Sequence, residues 1–178
     1  MGKKNGDTQA RQPEHGLPEN GARVLPSVTV DSYNVEIEHG DGFIGDRASK
    51  SAFWAILDKW RKPLRELDQD PLGDKVSQEI GKKRLAEILL KGDHQAGGVV
   101  HSAIEEFAQE LAAVIRRFIR LKEWRDTEVL AIGGGFRGSR IGELAIGRAD
   151  VLLKADGINI DLEPIRNDPD EAGLIGTG

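Results

Sequence analysis

A chain of 178 residues with 38% hydrophobic and 31% charged side chains has room for one domain of ordinary size that buries a core of its own. Its net charge of −5 argues against a general nucleic-acid binder, which needs a concentrated basic surface to release counterions, and nucleic acid is left out of the expected partners. The absence of cysteine excludes disulfides and thiolate zinc sites, and no apolar run approaches the ~20 residues of a membrane span, so the expectation is a cytoplasmic protein without a membrane partner.

Residues 1–26 are rich in Gly, Pro, Asn, Gln and charge, and Lys3 and Lys4 are followed by no apolar segment of the kind a leader needs. Such a composition buries too little surface to offset chain entropy, and the stretch reads as a disordered N-terminal arm ahead of a domain over 27–178. Val28, Val30, Val35 and Ile37 then alternate towards the turn Gly40-Asp41-Gly42, which predicts a strand pair or a long strand at a sheet edge.

Phe53, Ile56, Leu57, Trp60, Leu64 and Leu67 recur at helical spacing behind Asp46 and Ser49, either of which is a capping residue, and Pro63 is expected to end or kink that helix. Leu85, Ile88 and Leu89 predict a short helix closing near Gly92. The strongest periodicity lies over 95–122, where Val100, Ala103, Ile104, Phe107, Leu111, Val114, Ile115, Phe118 and Ile119 make one apolar stripe, the mark of a long core helix.

A strand over 128–132 then runs into Gly133-Gly134-Gly135, followed by a helix carrying Ile141, Leu144, Ala145, Ala149, Leu152 and Leu153 that Gly157 ends. Ile158, Ile160 and Leu162 alternate into a second strand, and Asp168-Pro169-Asp170-Glu171 has the residues that open one more helix. Helix, strand, glycine-rich turn, helix, strand is an α/β order with parallel strands, here a mixed sheet with packed helices.

The glycine turn has three readings, two of which follow from the residues. The bland one is that glycine only lets the turn close. A second is a dinucleotide site of Rossmann type, since Gly133, Gly135 and Gly138 reproduce G-x-G-x-x-G between strand and helix, with Asp161 or Glu163 where a ribose-binding acid stands. Against it, the unit comes late in the chain and leaves little room for further strands.

The third rests on resemblance. The block from Val129 through Gly133, Gly134 and Gly135 to Phe136, the preceding helix through Phe107 and Leu111, and the downstream Pro164-Ile165 and Ala172-Gly173-Leu174-Ile175-Gly176 resemble the ROK family of sugar kinases and sugar-sensing repressors, which includes bacterial glucokinases. The likeness covers about 93–178, and 27–92 more loosely, normally the second half of such a protein. It implies the adenosine-binding lobe of the sugar-kinase, heat-shock ATPase and actin superfamily. It also implies ATP and Mg as cofactors, a hexose as substrate, and Gly133, Gly134 and Gly135, with Phe136 and Arg137 beside them, as nucleotide-binding residues.

Arg140 is a further candidate for a phosphate, while Gly173 and Gly176 fit helix packing. The family's phosphate loop, its Asn-Asp catalytic pair and its zinc motif have no counterpart in matching context: Asn167-Asp168 precedes Pro169 as a helix cap, and His15, His39, His94 and His101 are scattered. No catalytic or metal-binding residue is assigned, and the isolated chain is expected to be inactive.

The lobe is expected either to be an incomplete member that a second lobe or another copy completes, or a module that binds a partner and catalyses nothing. With no basic recognition helix in the arm, a kinase is favoured over a DNA-binding repressor. Glu105 and Glu106 read as a solvated helix face.

Overall fold

The computed structural model describes residues 24–25, 28–29, 36–136 and 138–165. Two compact units are present, Met1–Val35 and Glu36–Gly178. In the first, β1 (Val24–Leu25) pairs antiparallel with β2 (Val28–Thr29), with Leu25 opposite Val28. The rest of the expected arm, together with Val30 and Val35, lies outside the described residues.

In the second unit, β3 (Glu38–His39) and β4 (Gly42–Phe43) form a hairpin around Gly40, whose φ of 60° suits glycine; it lies across the expected turn, and Ile37 of the expected strand stands just before it outside any strand. A 3-10 turn over Ile44–Ala48 leads to α1 (Lys50–Glu66). Of the two capping candidates Ser49 takes the role, its Oγ accepting from the Ala52 N–H at 3.1 Å, whereas Asp46 accepts from the Phe43 N–H at 3.0 Å. The expectation that Pro63 ends α1 does not hold: the helix continues to Glu66. Arg61 and Arg65, one on either side of the proline, are both bound to Asp70, and these contacts hold the last turn where the missing N–H would loosen it.

The predicted short helix is α2 (Ser77–Lys91), longer than expected because two helical pieces meet at Gly81, with φ 75° and ψ 152°. Leu85 and Ile88 face inward and Gly92 closes it, donating its N–H to the Ile88 carbonyl at 2.8 Å. The long helix is α3 (His94–Phe118), 25 residues capped by Asp93, whose Oδ1 accepts from the Ala96 N–H at 2.8 Å.

β5 (Val129–Ile132), α4 (Arg140–Ala155) and β6 (Asp161–Pro164) complete the described chain. The strands are parallel, in register from Val129 opposite Asp161 to Ile132 opposite Pro164, so 129–164 is a βαβ unit as the sequence order implies. Gly157, at φ 79°, follows α4. The helix expected from Asp168 lies outside the described residues.

The molecule is mixed α and β and mostly helical, and among the described residues its sheets are two-stranded pairs, with no third strand joining β5 and β6. Two apolar clusters share α3. One joins Phe53, Trp54 and Leu57 of α1, Leu85 and Ile88 of α2, Val100 and Phe107 of α3, and Phe136 and Ile141. The other joins Ala108, Leu111, Ala112 and Ile115 of α3 to Ile146, Ala149 and Leu153 of α4, with Leu130, Ile132 and Leu162 of the strands packed against them. Each large side chain withdrawn from water in this way contributes about 1.5–3 kcal/mol.

Candidate functional site

The turn over 133–138 stands at the carboxyl end of β5, the end of a parallel pair outside which α/β proteins bind ligands. Its glycines are glycine for different reasons. A Cβ on Gly133 would come within 3.1 Å of Ile165 Cδ1, and Gly134 has a φ of 90°. Gly135 and Gly138 have neither constraint: a Cβ on either would meet nothing within 4 Å, and neither backbone is left-handed. Both are exposed.

Phe136, between them, is turned the other way. The residue is 8% exposed, and its ring lies 4.5 Å from that of Phe53 and 5.7 Å from that of Phe107, so it anchors the turn in the core. The Phe136 carbonyl accepts from Ser139 Oγ at 2.7 Å, and Ser139 Oγ accepts in turn from the Gly142 N–H at 3.2 Å, which caps α4. Arg137 lies outside the described residues. Arg140 is engaged with Glu143 at 3.4 Å.

From across the unit, Lys82 of α2 donates through Nζ to the Gly135 carbonyl. Neither composition nor periodicity singled out Lys82, because its nearness depends on the break at Gly81.

The two candidate ribose acids stand at different ends of β6. Asp161 pairs with Val129, the end of the strands away from the turn, and is bound by Lys154 Nζ at 2.9 Å. That ammonium, between Asp161 and Asp150, has its pKa raised by the two carboxylates. Glu163 pairs with Ala131, one step from the end that carries the turn. Of the two, only Glu163 is near the glycines along the strand.

A concavity of about 680 Å³ lies apart from the turn, along α1 and α3, and includes Trp60, His101, Glu105 and Glu106. Its acids lie on the partly exposed helix face expected from sequence, and each is paired there with a neighbour. Glu106 accepts from Lys59 Nζ at 2.7 Å and from Trp60 Nε1 at 2.9 Å, Glu105 binds Arg148 of α4 at 2.6 Å, and Glu110 pairs with Arg47 at 2.5 Å. Three carboxylates of one helix therefore reach three neighbouring elements. Arg148, followed by Gln109, holds the Glu105 carboxyl below the usual range.

The third polar cluster is interior. Arg61 is fully buried; its Nε donates to Asp70 Oδ2 at 2.9 Å, Nη1 to Ser77 Oγ at 2.9 Å and Nη2 to the Gly73 carbonyl at 2.7 Å. Ser77 Oγ donates onward to Asp58 at 2.7 Å. Each group is satisfied by a neighbour, as a structural clasp for the loop between α1 and α2 requires. Among the described residues no three His, Asp or Glu side chains gather as a metal site would need.

Comparison with protein-family models, with curated proteins and with solved structures finds no match.

Proposed function

We propose that the β5–turn–α4 unit is a nucleotide-binding element, the adenosine-binding lobe of a ROK-type sugar kinase, which takes part in ATP-dependent hexose phosphorylation only when a second lobe supplies the phosphate loop and the catalytic acid. The observation that carries the reading is the pair of exposed glycines, Gly135 and Gly138, at the carboxyl end of a parallel strand. Glycine costs backbone entropy, and the described fold asks for it at neither position, whereas a ligand lying against the backbone would. The resemblance of the block from Val129 to Phe136 supports the same ligand. Phe136 serves this site as an anchor from beneath, and Gly133 and Gly134 shape the turn.

ATP would bring Mg on its phosphates, and no described residue is assigned to hold the metal. Catalysis has no candidate base here, so the proposed role of this chain is to bind and orient the nucleotide.

A second reading, a dinucleotide site, is favoured by the placement of Glu163 near the turn end of β6. The deciding experiment is calorimetric titration with ATP–Mg and, in parallel, with NAD, on the wild-type chain and on Gly135→Val. Binding of ATP alone, lost at least tenfold in Gly135→Val with an unchanged thermal midpoint, is the expected result. Binding of NAD alone would replace the kinase reading by the dinucleotide one, and binding of neither would remove the turn from consideration.

A further inference from the structure

Most cations near the turn's own unit are neutralised by acids: Arg140 by Glu143, Arg148 by Glu105, and Lys154 by Asp150 and Asp161. Lys82 differs. Among the described residues it forms no ion pair, and its ammonium donates to a neutral carbonyl, that of Gly135. An ammonium has three donors on a flexible stem, and a phosphate oxygen is a stronger acceptor for it than an amide carbonyl.

Two features hold this charge in place. The left-handed break at Gly81 directly precedes Lys82, and the helical piece that follows is fastened by Leu85 and Ile88 in the core. The turn is fastened separately, through Phe136. The ammonium thus meets the mouth of the turn from a different element, and a ligand resting on Gly135 would lie within its reach.

On the nucleotide reading given above, we infer that Lys82 is a specificity-determining residue of the site: it exchanges the Gly135 carbonyl for a phosphate oxygen and selects nucleotides over the uncharged nucleoside. The attraction is between an exposed charge and an anion, so it weakens as salt is added.

The test measures the affinities of ADP and adenosine, at low and high salt, for the full chain and for Lys82→Met and Lys82→Arg, with a thermal midpoint for each variant. The wild type should prefer ADP over adenosine by about tenfold, in line with one charge-assisted hydrogen bond. Salt should narrow that preference, Lys82→Met should abolish it, and Lys82→Arg should keep most of it. If Lys82→Met still prefers ADP, or if both ligands weaken equally in it, Lys82 does not select phosphate and the inference fails while the nucleotide reading stands. Equal wild-type affinities for the two ligands overturn the inference in the same way. A wild-type chain that binds neither ligand overturns both the nucleotide reading and this inference.

Discussion

Replacing Arg61 by methionine takes away three hydrogen bonds at once, to Asp70, Ser77 and the Gly73 carbonyl, from a position with no access to water. Asp70, whose side chain is only 6% exposed, keeps Arg65 as a partner, but the Gly73 carbonyl loses its donor. Removing one member of a buried, hydrogen-bonded pair costs about 3 kcal/mol even at the low end of the usual range. Urea unfolding of Arg61→Met should show that loss as a lower midpoint with an unchanged slope. Glu105 gives a milder effect with a defined pH window. Because Arg148 holds its folded-state pKa below the unfolded value, its contribution is present above the ordinary carboxylate range and is lost as pH falls through the folded value. In Glu105→Gln the thermal midpoint should therefore fall less steeply on acidification than in the wild type, and equal slopes would show that the pair does not couple to folding.

Among the elements, the turn after β5 depends on a side chain that faces away from its surface. Phe136 touches rings from α1 and α3 and so fixes where Gly135 and Gly138 stand. Phe136→Ala leaves a cavity in the aromatic cluster, at a cost of about 3–5 kcal/mol. Proton spectra of this variant should show displaced signals for the turn and for Phe53 and Phe107; unperturbed turn signals would mean that the glycines hold their shape unaided. The parts of these elements legible in the sequence are those set by local chemistry. The stripe from Val100 to Ile119 is α3 because its period suits no strand, and Ser49 and Gly157 mark helix ends through their own hydroxyl and backbone freedom. Gly81 was less readable, since one glycine between polar residues does not announce a break in a helix whose two pieces run on across it.

At the scale of the molecule, what escaped the sequence is what arises when distant segments meet. Pro63 reads as an end or a kink until Asp70 is seen to grip the residues on either side of it, and nothing in the sequence marks Arg61, which the loop buries completely. Trp60 belongs to the apolar stripe expected of α1, yet it is 41% exposed, whereas Trp54, outside that stripe, is 4% exposed, a difference set by which face α3 covers. Glu105 and Glu106 stand on the partly exposed helix face that the sequence suggests, and what it did not show is their cross-links to Lys59 and Arg148. For the glycine turn, strand, glycines and following helix were plain in order, whereas the inward direction of Phe136 and the approach of Lys82 required the packed chain.

The two apolar clusters meet along α3, one ending at Phe107 and the other beginning at Ala108, consecutive residues of an uninterrupted helix. Phe136 meets Phe107 on the near half of that helix, and its far half carries Leu130, Ile132 and Leu162, so the aromatic anchor of the turn and the strand floor both rest on one helix. The turn is consequently mounted on the same helix that carries both apolar clusters.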